Sequence, residues 1–520
     1  KNLTVNLSGK NSMLKQLYFW IIFMQKHYDT IAICWSSILI EELVRLGCKH
    51  VCIAPGSRST PLVIACSKQQ HLQCHSHFDE RALAFFALGL AKASQEPVII
   101  ITTSGSAVGN VFPAVIEAYQ SHIPLIVISA DRPPELQFHG ANQTINQYHI
   151  FGNYVNCFRQ LPVPDTAVPI RWLLNTVDDA FYQVKHPHPG PIHFNFMFRE
   201  PFFSPFIEST SYLNSIKDWF QRTTPFKQLQ ATKTHITQSI PDDVIQFPIL
   251  AIVGEISRED DAQTIYQFCC DHHIPMATEC HSKLYGKHQT FHLIDLFIDA
   301  LSHHCLPPQL ILLFGEHFIS KNLQRFLKEH SNIIQFTSHG TSSDPMHASH
   351  YVCKGSISQS LSLLNLSSID NISFQKQLST HYSLLESTVH KHTLPSDISL
   401  FNALFSALPS PSLIFVSNSL PIRLINSFTA SPHPHLIFAN RGASGIDGNL
   451  STAFGIATHY QQPLFIITGD ITFLYDLNAL QHIQSSSHPV KICVINNNGG
   501  QIFSLLNKQN KLNNCLDLFT

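Results

Sequence analysis

GDITFLYDLNALQHIQSSSHPVKICVINNNGGQ, running from Gly469 to Gln501, decides the fold. The apolar run Leu464 to Thr468 just before it, and KICVIN within it, each read as a strand; the stretch between carries the spacing of one amphipathic helix. Strand, helix and parallel strand form a crossover, so both strands end on the same edge of the sheet, where open α/β sheets bind ligands. Asp470 arrives at the end of the first strand and Asn496, Asn497 and Asn498 at the end of the second, with Gly499 and Gly500 freeing backbone carbonyls beside them. A carboxylate, an amide oxygen and a carbonyl are hard ligands, suited to a Mg²⁺ that also holds phosphate oxygens. The expected site clamps a diphosphate through a metal; the alternative is a strand-end turn in a plain βαβ connection.

Composition narrows the function. The charges nearly cancel, 33 Lys+Arg against 35 Asp+Glu, so nothing marks a nucleic-acid or anionic-membrane partner. Only 13% of the residues are charged, about half the usual share, so much of the surface is expected to be Ser, His, Asn and Gln or to be covered in an oligomer. Thirteen cysteines without regular spacing suit reduced thiols in a cytoplasm better than a disulfide framework. The apolar run Leu17 to Met24 is far short of the ~20 residues that span a membrane, and no small-residue cleavage site follows it. Residues 1–28, opening on Lys1, read as an extension or upstream fragment of unknown role. The densest His/Cys groups, Cys74 with His75 and His77, and Cys269 and Cys270 with His272 and His273, lack CxxC or HExxH spacing and read as polar surface.

A chain of 520 residues has room for about three domains of ~150 residues. The alternation of strands and helices sets them at 29–205, 206–390 and 391–520, each a parallel-type sheet flanked by helices. In the first, a helix over Ser37 to Leu46 and a strand over Lys49 to Ala54 run into the loop PGSRSTP. Its amides and Ser57 suit an anion and Arg58 adds a planar charge, although an ordinary Pro/Gly turn reads as well. HFDERAL then opens an almost wholly apolar helix. Acidic residues at a helix start are normally explained by capping, yet burial of this helix would place Glu80 in a dry setting. A strand over Pro97 to Thr103, a strand ending in Asp131 and Arg132, a polar loop with Asn142 and Gln143, and the strand PIHFNF complete the domain. Polar connectors, Glu208 to Pro241 and Ser367 to Pro395, flank a middle domain that lacks GxGxxG and reads as scaffold. The third domain adds SLIFVSN, followed by Ser419 and Arg423, then LIFANRGASGIDG.

Taken in order, PGSRSTP, HFDERAL, TSGSAVGN, ADRPPEL, GANQ, NRGASGIDG and GDITFLYDLNAL with NNNGGQIF resemble one family of thiamine-diphosphate (ThDP) enzymes. That family is the 2-succinyl-5-enolpyruvyl-6-hydroxy-3-cyclohexene-1-carboxylate (SEPHCHC) synthases of menaquinone biosynthesis. The resemblance covers the chain from about Ile31 onward and is weakest in the middle domain. It implies a three-domain α/β ThDP fold with pyrimidine-binding, middle and diphosphate-binding domains, and a homodimer or homotetramer with the cofactor between subunits. The implied reaction is decarboxylation of 2-oxoglutarate and 1,4-addition of the remaining succinyl unit to isochorismate.

The same resemblance assigns Glu80 to the aminopyrimidine, and Asp470, Asn497 and Gly499 to Mg²⁺, with Mn²⁺ as a substitute. Ser419, Gly469, Gln501 and Ile502 match further cofactor contacts, and Ile446 matches the apolar prop that bends the cofactor. Ser57, Arg58, Arg132, Gln143, Lys321, Ser419, Arg423 and Arg441 match the substrate pocket, Gln143 also as a catalytic group. Both substrates are dianions, which accounts for five cations in a chain poor in charge. Asn322 stands where a second basic residue often follows Lys321. The chain also stops at Thr520, short of the family's usual end, so the last domain is expected to be incomplete and the chain poorly soluble or inactive. Another ThDP decarboxylase or carboligase, such as an acetolactate-synthase relative, and an inactive fragment serving as a binding partner are the other readings.

Overall fold

The computed structural model describes residues 30–203, 209–230, 240–304, 307–339, 344–366, 371–391, 396–429 and 434–506. The extension read at 1–28 and the chain end after 506 lie outside the described residues. Three parallel sheets form the frame. The first contains β1 (His50–Ile53), β2 (Gln73–Ser76), β3 (Val98–Thr102), β4 (Leu125–Asp131), β5 (Cys157–Leu161) and β6 (Ile192–Met197), in the order β2-β1-β3-β4-β6-β5. In the second, β7 (Ile249–Val253), β8 (Met276–Thr278), β9 (Thr290–Phe291), β10 (Leu310–Phe314), β11 (Ile333–Thr337) and β12 (Tyr351–Lys354) run β12-β11-β10-β7-β8-β9. The third orders β13 (Leu413–Val416), β14 (Leu436–Phe438), β15 (Leu464–Gly469) and β16 (Val490–Ile495) as β14-β13-β15-β16. The central strands β3, β4, β7 and β10 are buried along their whole length, which is why they read as continuous apolar runs rather than alternating ones.

The first and third domains meet through two helices, Glu80–Ser94 and Asn449–Tyr460. They cross where Gly89 faces Gly455; a Cβ on either would overlap the other helix's backbone, so only glycine permits this approach. Lys92 closes the junction with the middle domain. Its buried Nζ donates to Ala439 O at 2.6 Å and pairs with Glu255 at 2.8 Å.

Three sequence expectations are revised. The link between β15 and β16 is not one helix: a short helix, Asp470–Tyr475, gives way at Asp476 to a 3₁₀ stretch, Leu477–Ser485. The cause is the fully buried Asp476 carboxylate, which accepts from Ser451 N at 2.8 Å and Ser451 Oγ at 3.0 Å and so turns the chain toward the neighbouring helix. The segment read as a connector at 367–395 holds the helix Ile372–His390, whose Phe374, Leu378, Tyr382 and Val389 are buried at helical spacing; its Ser-rich outer face hid that period. The strands β2 and β5 also escaped the reading, being short, polar and at the two sheet edges.

The described part of the connector read at 208–241, residues 209–230, is likewise packed onto the first domain. Trp219 is 1% exposed, and its Nε1 donates to Glu42 Oε2 at 2.5 Å. Phe226 N donates to Glu42 Oε1 at 2.5 Å, and Lys227 N to Asp178 Oδ2 at 2.8 Å. Burial first, and then the Glu42 carboxyl beside it, push the Asp178 carboxyl well above the usual carboxylate range. The folded chain therefore keeps a proton that the unfolded chain releases above about pH 4. The contribution of this group to stability is therefore full below that pH and is lost as pH rises through the raised folded value. Thermal melting at pH 6 and pH 9 is expected to show a larger loss for the wild type than for Asp178→Asn; equal losses would mean that Asp178 holds no extra proton in the folded chain.

Candidate functional site

In the third sheet the chain goes one way from β13 to β14 and the other way to β15 and β16, so the topological switch lies between β13 and β15. The crevice outside the carboxyl ends of strands at such a point is where open α/β sheets bind ligands. A cavity of 500 Å³ opens there. Ser419 enters it after β13, Ile446 from the loop after β14, Gly469 and Asp470 from the end of β15, and Asn497, Gly499, Gln501 and Ile502 from the segment after β16. Every third-domain residue singled out for the cofactor thus lines one pocket.

Local geometry brings these groups together. Asp470 Oδ1 accepts from Ile471 N at 3.0 Å and Oδ2 from Gly499 N at 2.7 Å, so the end of β15 is tied to the turn after β16. That turn runs through positive φ at Asn498 (63°) and Gly499 (105°), which asparagine and glycine tolerate best. Gly499 O accepts from Gln501 N at 2.9 Å. Ser419 holds φ at 73°, a strained position for a residue with a side chain. It opens the helix Leu420–Phe428, whose first turn carries Pro421. Among the described residues no group of three or more His, Cys, Asp or Glu side chains is placed to hold a metal. A cation here would rest on Asp470, the Asn497 amide, backbone oxygen and the ligand's own phosphates. Both Asp470 oxygens keep lone pairs for it, and Ile446, Leu420, Ile502 and Phe503 supply apolar walls. The donor set and the cavity size fit a metal-bound diphosphate cofactor.

The residues matched to the substrate pocket fall into two groups. Beside the cavity, Arg441 Nη1 donates to Asn418 Oδ1 at 2.8 Å, and Asn418 Nδ2 holds Asn440 O and Gly445 O at 2.7 and 2.6 Å. Burial, and then the like charge of Arg423, push the Arg441 guanidinium below its ordinary range. The Nε atoms of Arg423 and Arg441 are buried without a hydrogen-bond partner among the described residues, so this corner favours an anion. Lys321 is exposed at the start of the helix Lys321–Glu329. In the first domain, Arg132 Nη1 reaches Ser104 Oγ, and Gln143 Nε2 donates to Ser104 O at 3.2 Å. Arg58 is buried, donating to Phe198 O at 2.9 Å and pairing with Glu200 at 2.8 Å. Burial, and then Arg132 nearby, push it below its ordinary range. Ser57 is exposed on the same loop, above a second cavity of 540 Å³ lined by Gly56, Thr60, His77 and Phe78.

Glu80 belongs to neither pocket lining. The cap of its helix is Asp79, whose Oδ1 accepts from Arg81 N at 2.9 Å and Ala82 N at 3.3 Å; Glu80 is therefore not needed for capping. Continuous burial of the helix begins at Ala82, and Glu80 is half-buried, its Oε2 accepting from Asn110 Nδ2 at 3.1 Å. The dry setting anticipated for Glu80 is thus not provided by its own chain.

Several supporting residues escaped the sequence reading. Glu117, 3% exposed in the helix Phe112–Gln120, accepts from Gly442 N at 2.8 Å and Ala443 N at 2.6 Å, which fixes the loop that carries Arg441. A lone acid in FPAVIEAYQ was its visible sign. Asn418, Ser104 and Asn110 gave no comparable signal.

Comparison with known proteins matches all three domains. The model of the N-terminal TPP-binding domain of thiamine pyrophosphate enzymes covers residues 35–150, the corresponding middle domain 210–416, and the C-terminal TPP-binding domain 422–512. A 2-succinyl-5-enolpyruvyl-6-hydroxy-3-cyclohexene-1-carboxylate synthase of Psychromonas ingrahamii is 38% identical over 507 residues, covering 95% of this chain and 86% of that protein. Proteins of the same name from Shewanella frigidimarina and Shewanella baltica are each 36% identical, covering 91% and 92% of this chain and 84% and 85% of theirs.

Proposed function

Because the chain belongs to the SEPHCHC synthase family of ThDP enzymes, we propose that it decarboxylates 2-oxoglutarate and adds the remaining succinyl unit to isochorismate, releasing CO₂ and SEPHCHC for menaquinone synthesis. The observation that carries this reading is the convergence of Ser419, Ile446, Asp470, Asn497 and Gly499 on one cavity at the topological switch of the third sheet. Asp470, Asn497 and Gly499 would hold Mg²⁺, or Mn²⁺ in its place, and through it the diphosphate; Gly469, Gln501 and Ile502 would line the cofactor and Ile446 would set its bend. The cofactor, when bound, supplies the nucleophilic carbon and the electron sink that decarboxylation needs. Glu80 would hold a proton at the aminopyrimidine ring. Arg423, Arg441 and Lys321 with Ser419, and Arg58, Arg132, Ser57 and Gln143, would orient the two dianions.

These groups lie in two separate places in one chain, which supports a site assembled between subunits of a homodimer or homotetramer. A candidate face is at hand: Phe78, Leu474, Tyr475 and Leu477 are 58%, 60%, 49% and 43% exposed, near the contacts of Arg81 with Tyr475 O and of Asp79 with Asn478. Apolar patches of this kind mark interaction surfaces. The domain limits 29–205, 206–390 and 391–520, and a cytoplasmic location, belong to the same proposal. Among the described residues no helix is long and apolar enough to cross a membrane.

The test mixes the protein with ThDP, Mg²⁺, 2-oxoglutarate and isochorismate and follows isochorismate absorbance and CO₂. Both signals should require 2-oxoglutarate. Release of CO₂ from pyruvate, with isochorismate untouched, would overturn the assignment in favour of an acetolactate-synthase-like reaction.

A further inference from the structure

Arg423 and Lys321 come from different domains, and two carboxylates, one fully buried and one half-buried, tie together the two helices that carry them. Glu279 directly follows β8 and is 0% exposed. Its carboxylate accepts from Ile319 N at 2.9 Å and Ser320 N at 2.8 Å, the two amides that lead into Lys321. The same carboxylate accepts from Asn426 Nδ2 at 3.2 Å, three residues beyond Arg423 on the helix Leu420–Phe428. Asn426 is locked in turn, since its Oδ1 accepts from Cys280 N at 2.8 Å. Asp295 repeats the link one step away, accepting from Ser320 Oγ at 2.5 Å and from Ser427 Oγ.

Every neighbour described for this carboxylate is a donor or a cation. Ile319 N and Ser320 N lie at the amino end of the helix Lys321–Glu329, where the helix dipole favours an anion; burial nonetheless raises the Glu279 carboxyl to about 7, against the opposing pull of these amides, Asn426 and Arg441. A buried charge is costly unless fully hydrogen-bonded, so a structural staple alone would not call for an ionisable group. Resting on the functional reading above, we propose that Glu279 is a positioning residue for the acidic substrates, holding Arg423 through Asn426 and Lys321 through residues 319–320 at a fixed separation. It touches neither substrate nor cofactor. Its effect reaches the reaction only through where those cations stand.

The experiment compares full-length Glu279→Gln, Asn426→Ala and Arg423→Ala, and the double variant Glu279→Gln/Arg423→Ala, for the KM of each substrate, kcat and ThDP affinity. Glu279→Gln and Asn426→Ala are expected to raise the KM of at least one acidic substrate about tenfold, the scale of one weakened charge-assisted contact. The kcat and ThDP affinity should stay within about twofold, since chemistry and cofactor binding are untouched. Glu279→Gln should raise KM less on the Arg423→Ala background than on the wild type, because only its hold on Lys321 is then left to lose. If Arg423→Ala raises a KM while neither Glu279→Gln nor Asn426→Ala does, the positioning role is overturned and the functional reading stands. If Arg423→Ala leaves both KM values unchanged, the functional reading of this corner fails, and the positioning role with it. Loss of melting temperature with unchanged KM would make Glu279 a staple only. Should Glu279→Gln not fold, Asn426→Ala decides, because it leaves Glu279 its backbone donors.

Discussion

Glu80→Gln is expected to bind ThDP as the wild type does and to turn over about 10²–10⁴-fold more slowly, the usual cost of losing a positioned acid/base group. The variant is close to isosteric and should fold, because Asp79 makes the helix-capping bonds. The only polar contact described for the Glu80 carboxylate is that with Asn110, which an amide oxygen can also accept. What the amide cannot do is exchange a proton with a ring nitrogen. Turnover near the wild-type level would remove Glu80 from the chemistry. Since Glu80 lies outside the cavity of its own chain, the variant also reports on assembly. Refolding Glu80→Gln together with Asp470→Ala should recover activity that neither shows alone, because a mixed dimer would contain one intact site.

Asp470→Ala is expected to weaken Mg²⁺-dependent ThDP binding by about 2–5 kcal/mol, as removal of one partner from a buried, hydrogen-bonded charge contact does. Two losses combine. The metal would lose its only carboxylate among the residues lining the cavity, and Gly499 N would lose the acceptor that holds the turn after β16 to the end of β15. Titration calorimetry with ThDP, at saturating Mg²⁺ and without it, separates them. A deficit that persists without metal would assign Asp470 to the turn, whereas a deficit confined to the metal-containing titration would assign it to the cation. Unchanged affinity in both would leave Asp470 as an ordinary strand-end residue.

Much of this was legible in the sequence because the signals are local. Leu464 to Gly469 and Val490 to Ile495 form adjacent parallel strands as their apolar runs indicated, and parallel strands joined by one crossover must end on one edge. That topological rule alone places Asp470 beside Asn497 and Gly499. The three-sheet architecture follows from the same periodicity, the expectation of a metal-held diphosphate follows from the oxygen chemistry of those residues, and the ThDP class follows from the resemblance carried by the ordered motifs. The failures were also physical. In 208–241 and 367–395, polar residues masked helices whose apolar faces are narrow. The break at Asp476 depends on Ser451, 25 residues away.

What the sequence by itself determined is the set of strand-end residues and the chemistry their atoms can perform, since each is delivered by its own short strand and turn. Tertiary structure decided that Ser419 and Ile446 share one cavity with Asp470, Asn497 and Gly499, and that Glu80 does not. It also decided that Asp79 rather than Glu80 caps its helix, that Glu117 grips the Arg441 loop, and that Glu279 spans Ile319, Ser320 and Asn426. Apart from the local Asp79 cap, these are contacts between residues tens to hundreds of positions apart. Their partners are selected by how helices and sheets pack, and packing answers to the shape and burial of whole domains, which no local stretch of chain encodes.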